Sequence, residues 1–245
     1  MSALKVDILA IGVHPDDIEL GCGGTLIASV KQNKKVAIVD LTQGELGTRG
    51  TIHTRRQEAE DAAEVMGISY RENLEMADGF FEITQENLFK VIQVIRKYQP
   101  EILICNAPKD RHPDHGRSSE LVVRAAFLSG LRKIETEWEG ESQEAWRPKN
   151  IYHYIQDTYI EPDFVFDISD VHEQKIKAVV CYKTQFNTSD ASEPTTYIST
   201  PDFLNRTIGR ALSLGKTIGV QYAEGFISEK AVGVRDFNDL VQVTT

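Results

Sequence analysis

The chain has 245 residues, 41% of them hydrophobic and 26% charged, which excludes the fibrous and intrinsically disordered classes. Its formal net charge of −10 excludes a nucleic-acid backbone as principal partner, because neutralising phosphates needs a basic face. The apolar runs at Ile8–Val13 and Ile102–Cys105 are strand-sized, far short of the roughly 20 residues that span a bilayer.

Met1–Asp7 lacks the basic and apolar pattern of a secretory leader. Taken in order, short apolar runs at Val6–Gly12, Val36–Leu41, Ser69–Leu74 and Ile102–Cys105 read as strands. Between them the 3.6-residue period predicts helices near Gly23–Gln32, Thr54–Met66, Gln85–Tyr98 and Gly116–Leu128. Gly67 stops the second helix and Pro100 follows the third. Such alternation feeds a parallel sheet. Glu135–Glu144 is acidic and poorly patterned and reads as a surface loop. Two further strands, Ile151–Ile155 and Phe164–Ile168, precede a helix near Val171–Tyr182. Asn187–Thr200, rich in Ser, Thr, Asp and Pro, reads as a mobile loop, after which Thr200 caps a helix that starts at Pro201. Residues 1–245 are expected to form one domain.

In an open parallel sheet the ligand site lies beyond the carboxyl ends of the strands. Three such loops are Val13–Gly24, Thr42–Gly50 and Asn106–Gly116. The first holds His14, Asp16, Asp17 and Glu19; the third holds Arg111, His112, Asp114 and His115. One His or Asp at a strand end is ordinarily a cap or a surface polar group. Here, however, three of the six histidines of the chain fall in two short loops that should face each other. Two histidines and a carboxylate drawn from them make a three-ligand set with open positions, as a catalytic metal site requires, suited to zinc or ferrous iron.

Gly21, Gly23, Gly24 and Asp40 imitate a dinucleotide-binding fold, but the spacing does not fit. Gly21 follows Gly12 by nine residues, and Asp16 and Asp17 stand where a pyrophosphate needs backbone donors. Cys22, Cys105 and Cys181 form no paired motif, so neither a disulfide framework nor a cysteine metal site is expected, and a reducing cytoplasmic setting fits. Cys22 reads as a small buried residue of a helix start.

A strand followed by His14-Pro15-Asp16-Asp17-Ile18-Glu19, with a later His112-Pro113-Asp114-His115, resembles the LmbE/PIG-L family of deacetylases. Within it, Gly44-Glu45-Leu46-Gly47-Thr48-Arg49-Gly50, Arg55, Glu58 and Gly219-Val220-Gln221-Tyr222-Ala223-Glu224-Gly225-Phe226 resemble the bacillithiol-pathway branch. Val13 stands where the family often has Ala. The resemblance spans Val6 to Ser228 and implies a Rossmann-like α/β domain, with a mostly parallel sheet, flanking helices and extra strands towards the carboxyl end. It implies Zn2+ held by His14, Asp17 and His115, Asp16 as general base, and His112 as a cation held by Asp114 that supports the oxyanion or protonates the leaving amine. Arg55 is implied near the active site, with Arg49 and Arg111 on its rim to grip a substrate carboxylate. Tyr197 and Arg210 are candidates for a lid or for sugar binding.

The implied reaction removes the acetyl group of N-acetylglucosaminyl malate, a small-molecule amino sugar. Other N-acetylated sugars, such as a chitooligosaccharide or another thiol precursor, are the alternative within the enzyme class. A non-catalytic metal or sugar-nucleotide binding module is the alternative outside it, and Asp16 beside the ligands argues against that. The resemblance also implies a homohexamer.

Overall fold

The computed structural model describes residues 4–186 and 193–241. The first part of the chain runs β1 (Ile8–Gly12), α1 (Asp17–Lys31), β2 (Val36–Thr42), α2 (Ile52–Met66), β3 (Tyr70–Met76), α3 (Gln85–Tyr98), β4 (Ile102–Asn106), α4 (Pro113–Ser129). A small hairpin of β5 (Glu137–Trp138) and β6 (Glu141–Ser142) then occupies the segment expected as loop, turning at Glu139 and Gly140 with positive φ at both. After it come β7 (Asn150–Tyr154), β8 (Phe164–Asp167), α5 (His172–Val179), α6 (Lys183–Phe186), α7 (Pro201–Ile218) and β9 (Ala223–Ser228).

The main sheet has the order β3-β2-β1-β4-β7-β9-β8. The first five strands are parallel, and β9 runs antiparallel between β7 and β8. From β1 the chain winds outward through β2 to β3, then returns to place β4 on the other side of β1. That reversal opens a crevice beyond the carboxyl ends of β1 and β4, where the loops after Gly12 and after Asn106 become neighbours.

Alternation sorts the strand residues onto two cores. Leu9, Ile11, Val39, Leu41 and Leu103 face α3 and α4, while Ile8, Ala10, Ile38 and Ile104 face α1 and α2. Both faces are covered, so β1 and β2 are buried throughout, as parallel strands require. Among the described residues no helix is long and apolar enough to cross a membrane.

Two helices begin earlier than the sequence pattern suggests. α1 starts at Asp17 instead of Gly23, and within it Gly21 and Gly24 are contact points: a Cβ on them would run into the Tyr154 ring and Ile168. Asp17 and Glu19 in its first turn suit the positive end of the helix dipole. α4 starts at Pro113, with His112 as its cap. The helix expected over 171–182 is α5, which ends at Val179, and a separate short helix, α6, follows it. Thr200 occupies the cap position of α7, but its hydroxyl donates to the Tyr197 carbonyl and caps no amide. Of the expected Asn187–Thr200 loop, residues 187–192 lie outside the described residues; 193–200 are irregular.

Buried ion pairs hold the layers together. Arg71 on β3 makes a bidentate pair with Asp40 (2.8 and 3.0 Å) and also donates to Glu19. Asp40 is therefore occupied within the protein, which removes the residue a dinucleotide ribose would need. Glu224 on β9 accepts from Gly24 N–H, Thr25 N–H, the Thr25 hydroxyl and Lys175, tying β9 to α1 and α5.

His153 on β7 does the same job behind the crevice. Its Nδ1 lies 2.8 Å from the Asn106 carbonyl and its Nε2 2.8 Å from Glu229 Oε1, so both nitrogens donate and the ring is a cation. Burial works against that charge, but Cys105, the Asn106 carbonyl and Glu229 outweigh it and push the pKa up to about 10. An unfolded histidine titrates near 6.5. Because the folded value is the higher one, the stabilisation is complete below about pH 6.5 and fades as pH rises towards 10. Glu229→Gln should therefore lower the urea midpoint most at pH 6 and progressively less up to pH 10; a midpoint difference that ignores pH would contradict this assignment.

Candidate active site

Between Gly12 and Asp17 the chain must turn from strand to helix within four residues. It does so through Asp16, whose φ of 116° is a conformation L side chains rarely adopt. Such strain costs about 1–3 kcal/mol and persists only where neighbours over-determine it. Here Arg55 donates to the Pro15 carbonyl and to Asp16 Oδ2 (3.2 Å). The His14 amide donates to Asp17 Oδ2 (3.0 Å), and Thr42 donates twice to the Val13 carbonyl. The turn sends the two adjacent carboxylates apart, Asp16 onto Arg55 and Asp17 onto the histidines.

From the other loop, α4 carries His115 in its first turn. Its Nε2 stands 3.2 Å from Asp17 Oδ1, while His14 Nδ1 stands 3.6 Å from Asp17 Oδ2. The Asp17 carboxylate thus lies between two imidazoles with one oxygen towards each. Gln156 donates to Oδ1 (2.8 Å) and Asn106 to Oδ2 (3.2 Å). The far nitrogen of each imidazole meets another carboxylate: His14 Nε2 lies 2.9 Å from Asp78 Oδ1, and His115 Nδ1 lies 2.7 Å from Asp110 Oδ2. Outer carboxylates of this kind orient metal-ligating imidazoles.

Ligand-capable atoms of His14, His112 and His115 fall within 4.8 Å of one another, as do those of His14, Asp78 and Asp114. A donor set of imidazoles and one buried carboxylate, each braced from behind, fits a divalent transition metal.

The electrostatics separate the two neighbouring aspartates. Burial, with Asp17 and Glu19 nearby, raises Asp16 to about 7 against the pull of Arg55 and His14. Burial also acts on Asp17, but His115 and His14 outweigh it and hold that carboxyl well below the usual range. His115 is raised to about 9: burial opposes its charge, and Asp17 and Asp110 win. Burial likewise opposes charge on His14, whose carboxylate neighbours Asp114, Asp17 and Asp78 raise it well above its ordinary value.

His112 differs from the expected cation held by Asp114. Its Nδ1 accepts the Asp114 amide N–H (3.3 Å), so that nitrogen carries no proton and the ring is neutral. Burial, His14 and His115 all depress its pKa. The Asp114 carboxylate accepts instead from the Gly79 amide and Arg117, both at 2.9 Å, and stands 3.7 Å from His14 Nε2.

These groups line a cavity of about 360 Å3 whose walls include His14, Asp16, His112, Arg55 and Gln156. Of the three arginines expected around it, Arg55 is buried and committed to Asp16 and the Pro15 carbonyl, and Arg49 is buried instead of standing on the rim. Arg111 alone of the three is at the mouth, paired with Asp157 (2.7 Å) and 4.3 Å from the centre of the Tyr197 ring. Tyr197 donates to Asp157 as well (3.0 Å), which places it at the mouth too. Arg210 reaches the Leu20 carbonyl at 3.5 Å. Cys22 is buried within the core, as expected.

Asp78, Asp110, Asn106 and Gln156 escaped the sequence reading. Asp78 follows β3, Asp110 and Asn106 lie in the loop region already singled out, and Gln156 follows β7. The strand-end rule, applied to every parallel strand, would have reached all four.

A family model described as PIG-L, GlcNAc-PI de-N-acetylase, matches residues 9–126. The chain is 30% identical over 234 residues to diacetylchitobiose deacetylase of Thermococcus kodakarensis, spanning 89% of this chain and 81% of that one. A probable N-acetyl-alpha-D-glucosaminyl L-malate deacetylase 2 of Bacillus cereus is 29% identical over 197 residues, 73% and 83% of the two chains. A 4-oxalmesaconate hydratase of Pseudomonas putida is 26% identical over 200 residues, 76% of each. The crystal structure of the conserved protein TT1542 from Thermus thermophilus superposes with a TM-score of 0.85 at 33% identity, covering 95% of this chain and 98% of that one.

Proposed function

Because the chain belongs to the PIG-L family of de-N-acetylases, we propose that it hydrolyses the N-acetyl group of an amino sugar with a bound divalent metal, N-acetylglucosaminyl malate being the substrate. The observation that carries this reading is the divergence of Asp16 and Asp17: one carboxylate is fixed between two braced histidines, while its neighbour is turned into the wall of the same cavity. The proposed ligands are His14, Asp17 and His115, and zinc is the metal the family resemblance implies. A divalent ion held there supplies Lewis acidity for the amide carbonyl and lowers the pKa of the attacking water.

The protein's own groups do the remaining work. Asp16, at about 7, is poised to accept the water proton near neutral pH, and Arg55 fixes where that carboxylate points. As the water oxygen bonds to the amide carbon, negative charge moves onto the carbonyl oxygen. His112, neutral and with its proton on Nε2, donates to that oxygen. When the C–N bond breaks, Asp16 returns its proton to the departing amine, which leaves acetate and restores the carboxylate. A hydratase relative means that the scaffold does not dictate amide cleavage by itself, so the assay must measure amine release directly.

Arg111 supports the choice of a malyl substrate, since it is the half-exposed cation at the cavity mouth, where a carboxylate can take the place of Asp157. A neutral chitooligosaccharide is the second reading, carried by the identity to diacetylchitobiose deacetylase. A cytoplasmic setting, a single domain and a homohexamer accompany the proposal.

Asp16→Asn keeps the shape of the side chain but removes its basicity. The variant should retain its metal and lose about 10²- to 10⁴-fold in kcat, whereas His115→Ala should be depleted of metal by elemental analysis. Near-normal kcat in Asp16→Asn at full occupancy would remove Asp16 from the mechanism, and unchanged metal in His115→Ala would remove that ligand.

Substrate choice has its own test. Amine release from N-acetylglucosaminyl malate should exceed that from diacetylchitobiose and from the methyl glycoside in kcat/KM. Arg111→Ala should cost roughly tenfold on the malyl substrate, about 1.4 kcal/mol, and little on the other two. Preference for diacetylchitobiose with no effect of Arg111→Ala would favour the second reading.

A further inference from the structure

Asp78 lies in the turn after β3, and three of its bonds tie that turn to the loops after β1 and β2. Its amide donates to Glu45 Oε1 (2.8 Å), its Oδ2 accepts the Leu46 amide (3.0 Å), and its Oδ1 lies 2.9 Å from His14 Nε2. The next residue, Gly79, donates to Asp114 (2.9 Å) and its carbonyl accepts from Arg117 (3.2 Å). Asp78 is buried, so each of these partners matters.

We propose that Asp78 is a positioning residue that sets the tautomer of His14: a carboxylate at Nε2 keeps the proton there and leaves the Nδ1 lone pair facing Asp17 and the ligand site. The proposal rests on the metal-dependent reading above, but it concerns a proton on the protein that can be observed without metal. Asp114 is the more distant carboxylate, 3.7 Å from Nε2 against 2.9 Å for Asp78, and its oxygens also accept from Gly79 and Arg117. The same carboxylate that orients His14 also anchors Leu46, in the loop that lines the cavity, so ligand orientation and cavity wall share one support.

Asp78→Asn makes a sharp test because the Leu46 amide needs an acceptor. A carboxamide has one oxygen to offer, which Leu46 takes; the NH2 group then faces His14 Nε2 and forces the proton to Nδ1. In long-range 1H–15N spectra of the metal-free protein, taken where the His14 ring is neutral, the parent should show Nε2–H and Asp78→Asn should show Nδ1–H. Competition with a chromophoric chelator should show Zn2+ binding weakened by about 10- to 100-fold in the variant. If Asp78→Asn does not fold, Asp78→Ala should lose the Nε2–H preference of the parent. Retention of Nε2–H in whichever variant folds, or Nδ1–H in the parent, overturns the proposal. A parent that shows Nε2–H yet binds no Zn2+ instead overturns the metal-dependent reading and leaves the tautomer assignment standing.

Discussion

The constraint on which this molecule turns is the burial of many carboxylates around the carboxyl end of β1. Asp16, Asp17, Glu19, Asp40 and Asp114 are all buried within this one region. An isolated buried carboxylate is too costly to persist, so each must find a cation, a donor or a proton. Arg71 serves Glu19 and Asp40, Arg55 serves Asp16, Arg117 serves Asp114, and the two histidines serve Asp17. Two partners do not suffice: burial raises Asp40 above its ordinary value despite Arg71, and burial with two neighbouring anions lifts Asp16 to about 7 despite Arg55. Of these two carboxylates, Asp16 is the one that lines the cavity with the histidines.

Topology explains why these groups meet. β4 returns beside β1, so residues about a hundred positions apart in the chain sit on adjacent strand ends. The packing beneath is tight: Gly21 and Gly24 let α1 approach Tyr154 and Ile168, and Glu224 fastens the same helix to β9. α1 begins at Asp17, so any shift of that helix moves a site carboxylate. The late Gly219–Phe226 run, which the sequence resemblance singled out, lies outside the described cavity lining and bears on the site indirectly, through the anchoring of α1 by Glu224.

The cluster of His14, Asp17, His112 and His115 was legible in the sequence because these residues lie in two short strand-end loops, and periodicity and turn residues locate such loops. The parallel alternation was legible for the same reason. Asp78, 64 residues from His14, and Gln156, 139 from Asp17, stand at strand ends whose loops carry no histidine, so nothing local marks them as part of the same site. α1 begins six residues before the expected Gly23, and the absence of a side chain at Gly21 and Gly24 serves packing within it. The role expected of Asp114 failed on a detail that residue types do not encode: the α4 cap turns the His112 imidazole onto the Asp114 amide, which leaves the carboxylate to Gly79 and Arg117.

A further division follows from how firmly each group is held. The inner residues His14, Asp16, Asp17 and His115 are braced by buried partners, and loss of one strands another in a region of low polarity, where unpaired charge is most expensive. The mouth is built otherwise. Arg111, Asp157 and Tyr197 come from three separate segments and meet through an exposed ion pair, a ring contact and one hydroxyl. Exposed pairs of this kind are worth about 0–1 kcal/mol, little enough for a ligand group to displace. Changes at the mouth can therefore be made without disturbing the inner geometry, whereas a change at Asp78 or Arg55 removes a partner of His14 or Asp16 directly.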